Sequence, residues 1–206
     1  MFKRVAVIIM AAGLLIGPVA GAASASAAIR TPGSGHQVWL TGGDTSVTTA
    51  PGIAAALLGH GIVPIATLPG TQGAQIGSGG VTVRFTFPVT GGWVNLAQLS
   101  GTIRHQGGIL FLAPATGKQI LVSDFVISVR QGVLTGEVNG NPKVRVALFQ
   151  LSLAHATIRA GRHYVQISGI ALTLTKIAAG ALNQTFGTTL FTPGLPFGTA
   201  VTLLRF

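Results

Sequence analysis

Val81-Thr82-Val83-Arg84-Phe85-Thr86-Phe87-Pro88-Val89-Thr90 decides the fold class. Val81, Val83, Phe85, Phe87 and Val89 share one parity; Thr82, Arg84, Thr86 and Thr90 share the other. In an extended chain successive side chains point to opposite faces, so a period of two gives one apolar and one wetted face. The segment is a half-buried strand.

The same reading extends in both directions. Val144, Val146 and Leu148 alternate with Arg145 and Ala147, and residues 120–129 and 164–175 are long runs rich in Val, Ile, Leu and Thr. Shorter runs lie at 38–40, 101–105, 109–112, 133–138, 188–191 and 199–206. Gly91-Gly92, Gly107-Gly108, Gly117-Lys118, Asn139-Gly140-Asn141 and Ala160-Gly161 supply turns, and residues 73–80 read as a Gly-rich hairpin loop. This spacing predicts an all-β domain, an antiparallel β-sandwich or partly closed barrel. Two Ala/Leu-rich segments, 51–59 and 176–186, are expected as short α-helices, the first with Pro51 in its first turn and Thr49 as its cap. Each runs on to a Pro-Gly pair, Pro69-Gly70 and Pro193-Gly194, as a weak internal repeat of helix, strand and Pro-Gly.

Residues 1–28 read as a cleavable signal peptide. Lys3 and Arg4 precede an apolar stretch, and small residues from Ala20 to Ala28 offer cleavage sites. The apolar core of about 15 residues is short of the ~20 needed to span a bilayer. Residues 29–46 are expected to form a flexible N-terminal arm and first strand, and 47–206 a single β-rich domain. No transmembrane segment is expected in the mature chain, and the expected location is secreted, with cell-wall association.

Composition narrows the chemistry. The chain has no cysteine, so neither a disulfide nor a blue-copper site can form. Its acids are Asp44, Asp124 and Glu137. Against eleven basic residues beyond the leader they leave a net charge of +8, from +10 for the whole chain. Such a chain is drawn to polyanions outside the cell, a cell-wall polymer or an anionic lipid surface; the leader argues against nucleic acid. Three acids make a paired-carboxylate glycosidase improbable, and no Gly-x-Ser-x-Gly elbow is present. No catalytic residue is assigned. Asp124, on the parity of Ile120, Val122 and Val126, is expected to be a half-buried acid paired with an arginine. His36, His60, His105, His155 and His163 show no metal-ligand spacing, and no metal site is assigned.

Leu99-Ser100-Gly101-Thr102-Ile103-Arg104-His105-Gln106-Gly107-Gly108-Ile109-Leu110-Phe111 ends a strand on His and turns at Gly-Gly into the next. With residues 120–129 and 133–138, over about 47–206, this resembles the HtaA-like domains of secreted and wall-associated actinobacterial proteins. The resemblance implies a β-rich fold with two short helices. It also implies a haem site in which a tyrosine of the N-terminal helical region, supported by a histidine, holds the iron. His105 matches the histidine. The tyrosine is absent; the comparable stretch is Ala55-Ala56-Leu57-Leu58-Gly59-His60-Gly61, where His60 is the residue able to ligate iron.

The expected function is a secreted, non-catalytic β-domain that acts as a cell-envelope binding or structural module, with no cofactor. One alternative is a haem-binding domain using His60 and His105. Another is an outer-membrane β-barrel, suggested by the terminal Phe206 and the alternating strands.

Overall fold

The structure, a computed structural model, describes residues 37–206; the signal peptide reading and His36 lie outside them. The described strands are β1 (Val38–Trp39), β2 (Gly42–Thr49), β3 (Val63–Thr67), β4 (Thr71–Gly77), β5 (Gly80–Asn95), β6 (Ser100–His105), β7 (Gly108–Ala113), β8 (Lys118–Ser128), β9 (Val133–Val138), β10 (Asn141–Ser152), β11 (Thr157–Ala160), β12 (Tyr164–Leu174) and β13 (Pro196–Arg205). Helix α1 (Ile53–Gly59) lies between β2 and β3, and α2 (Lys176–Phe186) between β12 and β13.

Eight strands close on themselves, in the order β5-β2-β13-β12-β10-β9-β8-β6 and back to β5. Every pairing in the ring is antiparallel. Closure pairs all ring strands on both sides and removes the free edges that an open sheet would expose. The remaining strands are extensions: β1 and β4 on β5, β7 on β8, β3 on β7 and β11 on β12.

The deciding stretch behaves as its alternation requires. Phe85, Phe87 and Val89 are buried inside the barrel, while Arg84 and Thr90 are exposed. Phe87 meets Phe125 edge-on with ring centroids 4.9 Å apart, and Phe149 meets Phe197 at 4.9 Å. At one end of the barrel α2 turns Ala178, Ala179 and Leu182 inward. Thr175 starts this helix: its hydroxyl accepts from the Ala178 N–H at 3.1 Å and donates to the Ala147 carbonyl at 2.6 Å. The cap therefore also ties the helix to β10.

Several local expectations are corrected. Gly91-Gly92 is no turn: β5 runs through both, with a register shift where Val89 and Gly91 face His105 and Arg104. Glycine is needed there because a bulged, sharply bent strand takes backbone angles that other residues avoid. Most of the 73–80 loop is paired strand, β4 against the start of β5. The boundary at 46/47 falls inside β2, which is a full member of the ring. Residues 188–191 are loop, because Asn183 takes the place of a partner strand. It donates from Nδ2 to the Phe191 carbonyl at 2.7 Å and accepts from the Phe191 N–H at Oδ1 at 3.0 Å. The internal repeat therefore stops at its first copy, since β3 follows α1 but no strand stands between α2 and Pro193-Gly194. Thr49 does not cap α1: Gly52 occupies the cap at φ 84°, and the Thr49 hydroxyl accepts from the Val83 N–H at 2.9 Å.

Candidate functional site

His105 ends β6 with its ring inside the barrel, 5% exposed. Nδ1 lies 3.4 Å from the Phe125 carbonyl and Nε2 2.7 Å from Thr45 Oγ1. A carbonyl only accepts, so the proton sits on Nδ1 and Nε2 accepts from the threonine hydroxyl. Thr45 Oγ1 is in turn 3.1 Å from Thr202 Oγ1. The result is a directed string, Thr202 to Thr45 to His105, crossing from β13 through β2 to β6. Around it stand Val47, Phe87, Ile109, Phe125, Leu134, Phe149, Leu172 and Phe197, which with Thr45 and His105 enclose a space of about 30 Å³. Burial lowers the His105 pKa from 6.5 to about 4, against a smaller upward pull from the Phe125 carbonyl. The imidazole is neutral at physiological pH.

His60 is in a different setting. It follows α1 as its C-cap, exposed, and Nδ1 lies 3.0 Å from the Ala56 carbonyl. That bond fixes the ring and leaves Nε2 without a hydrogen-bond partner among the described residues. His105 has both nitrogens engaged within the barrel, and His60 is not among the residues enclosing its cavity. The two histidines paired in the sequence reading do not present two free nitrogens to one space.

The acids are also apart in role. Asp124 does not pair its carboxylate with an arginine, as expected from its parity. Arg145 Nη2 bonds Glu137 Oε1 at 2.8 Å, while Arg145 Nη1 donates to the main-chain carbonyl of Asp124 at 2.7 Å. Asp124 sits at φ 49° in a bulge of β8, between the pairings of Ser123 and Val126. The extra residue shifts the alternation, so Ile120 and Val122 are buried before it and Phe125 and Ile127 after it. It also re-aims the strand: residues 118–123 pair with β7 and 126–128 with β6. The Asp124 N–H reaches the Gly107 carbonyl at 2.9 Å, at the turn between those two partners.

The comparison that decides the fold is structural. Over 81% of this chain and 98% of the other, the structure superposes on the C-terminal domain of HtaA from Corynebacterium glutamicum, with a TM-score of 0.52 and 15% identity. The barrel has the fold of an HtaA domain. The N-terminal domain of the same protein matches 78% of this chain and 96% of its own, at a TM-score of 0.47 and 14% identity. No protein-family profile matches the sequence, and no curated protein does. The HtaA-like resemblance read from the His105 strand and its Gly-Gly turn thus holds at the level of fold.

Within this HtaA-like barrel, the sequence reading singled out His105 but not the two threonines bonded in line with it, Thr45 and Thr202. The available signal was parity. Thr45 alternates with Val47 and Thr49 on β2, and Thr202 with Ala200 and Leu204 on β13, so each threonine sits on a buried face.

Proposed function

We propose that the protein is a non-catalytic binding module of the cell envelope that engages polyanionic wall polymer through the outside of its barrel. One observation carries this reading. All ten basic residues of the described chain lie at the surface, Arg145 with its side chain partly covered, and Arg145 alone forms an ion pair, with Glu137. Arg84, Arg104, Lys118, Arg130, Lys143, Arg159, Arg162, Lys176 and Arg205 project charge that no acid of the described chain neutralises. Such a surface attracts polyanions through a field that salt screens over about 10 Å at 0.1 M. The export leader expected in residues 1–28 supports the reading, since wall polymers lie outside the cell, and the HtaA-like fold agrees with a binding role.

The test is co-sedimentation of the purified domain with cell-wall preparations before and after removal of their anionic polymers. Retention by the intact wall should fall steeply between low and high salt and be lost on the stripped wall. Retention that ignores both salt and stripping would overturn the reading.

A second reading has a specific observation behind it, the bonding of His60. A histidine that donates Nδ1–H to a backbone carbonyl holds Nε2 oriented outward, the arrangement common to metal-bound imidazoles. His60 fits the ligand implied by the family resemblance; His105, with neither nitrogen free, fits only a supporting role. Titration with haemin is expected to give a Soret shift that His60→Ala abolishes and His105→Gln preserves. Absence of a shift in the unmodified protein ends this reading.

The outer-membrane barrel is the weakest of the three. A lipid-facing wall is apolar and its lumen polar. Here the order is reversed: the lumen holds Phe85, Phe125, Leu172 and Phe197, while Arg84, Arg104, Lys143 and Arg145 face outward on the ring strands.

A further inference from the structure

The end of the barrel opposite α2 holds a second cavity, of about 310 Å³. Its floor is Ile103 of β6, Ile127 of β8, Ile170 of β12 and Thr202 of β13, all buried. Its walls rise through Val129, Leu151 and Ile167. Its rim is Arg130, Gln131 and Leu153, all exposed, with Arg130 and Gln131 in the turn between β8 and β9. The volume lies at the lower end of the range for small-molecule sites, about 300–1,000 Å³.

The chemistry of this lining is polarised along the barrel axis. Hydrocarbon lines the interior. The hydroxyl of Thr202 is already within 3.1 Å of Thr45 Oγ1, so the floor asks nothing of a ligand. Charge stands only at the rim, on Arg130. Its guanidinium has no hydrogen bond and no ion pair among the described residues, and Asp44, Asp124 and Glu137 are not among the residues lining the cavity. An apolar interior beneath one uncommitted guanidinium is complementary to a single-chain amphiphile with an anionic head. A planar carboxylate matches the fork of arginine donors, which bind it bidentately.

We propose that the open end of the barrel is a binding site for a medium-chain acyl carboxylate, its tail directed towards Ile103, Ile127 and Ile170 and its head group on Arg130. The apolar interior of the site stands apart from the outer surface proposed to meet wall polymer; the two share only Arg130 at the rim, and neither reading depends on the other.

Calorimetric titration of the whole mature domain with decanoate, decanol and decyltrimethylammonium below their micelle concentrations tests the site. Decanoate is expected to bind one to one; decanol should bind about tenfold more weakly and the cation not measurably, as the loss of a charge-assisted bond implies. Arg130→Gln should weaken decanoate by about tenfold and leave decanol unchanged. Ile127→Trp should fill the interior and abolish both. Circular dichroism would show that each variant is folded, and an unchanged salt-dependent retention of Ile127→Trp on cell walls would show that the outer surface is intact. The proposal is overturned if decanoate does not bind, if it binds Arg130→Gln as tightly as the unmodified protein, or if Ile127→Trp binds it undiminished.

Discussion

Thr45 and His105, sixty residues apart in the chain, meet inside the barrel with Oγ1 2.7 Å from Nε2. Strand β5 separates their two strands in the sheet, so the contact crosses the curved interior of the barrel. Thr202, further still along the chain, completes the string. A low-dielectric interior strengthens such a bond and makes either partner expensive to leave alone.

The first prediction concerns pH. The folded protein holds His105 at a pKa of about 4, below its ordinary 6.5. Between these values the unfolded chain binds a proton that the folded barrel refuses, so stability rises with pH through this window and is lost as pH falls through it. The full loss from pH 6.5 down to 4 is about 3 kcal/mol. Urea unfolding at intervals across the window should show it, and His105→Gln should flatten that segment of the curve. An equal slope in both proteins would remove His105 as its source.

Thr45→Val keeps the shape of the side chain and removes the hydroxyl that serves Nε2. Leaving that nitrogen unpaired is expected to destabilise the fold by about 1–3 kcal/mol. Adding His105→Leu to the same protein should recover part of the loss, since an apolar pair leaves no orphaned nitrogen. Unfolding free energies for the two single variants and the double variant make the comparison; strictly additive losses would contradict coupling.

Gly91 and Gly92 predict a contrast between neighbours. Both have positive φ, 149° and 119°, so alanine strains either. A Cβ on Gly91 meets nothing within 4 Å, whereas one on Gly92 runs into the Thr102 carbonyl of β6. Gly91→Ala should cost about 1 kcal/mol. Gly92→Ala should cost several times more, because it forces β5 from β6 at the ring closure. Thermal unfolding of the two variants decides the order.

Arg145 joins Glu137 to the bulge at Asp124, with side chains 31% and 18% exposed at the ion pair. Partial exposure keeps the ion pair itself to about 1 kcal/mol or less, falling with salt. Glu137→Gln should therefore be mild and salt-sensitive. Arg145→Met should cost more and keep part of its effect in high salt, since it also removes the donor to the Asp124 carbonyl. Chemical denaturation at low and high ionic strength separates the two contributions.

Short-range pattern was enough to establish the kind and rough place of the long elements. Period-two alternation marked the long strands, and Ala/Leu-rich runs marked both helices, because each depends on a handful of neighbouring residues. The scarcity of acids and the absence of cysteine are facts of composition. The Gly-Gly turn after His105 drew attention to that residue, but its burial and its threonine partners were not legible. Tertiary structure decided the rest. Alternation separates two faces without saying which strands adjoin, so Thr45 and Thr202 could not be matched with His105 before the ring was closed. One bulged residue, Asp124, reverses parity along β8, and the arginine that reaches it, Arg145, gives its ion pair to Glu137. Gly91-Gly92, a turn by local chemistry, is held within β5 by its pairing with β6 alongside it. Charge was countable in the chain, but its exposure on the outside of an apolar barrel, and the one guanidinium left at the barrel's open rim, follow only from closure. Each is a long-range contact, and its energy comes from residues that local sequence does not bring together.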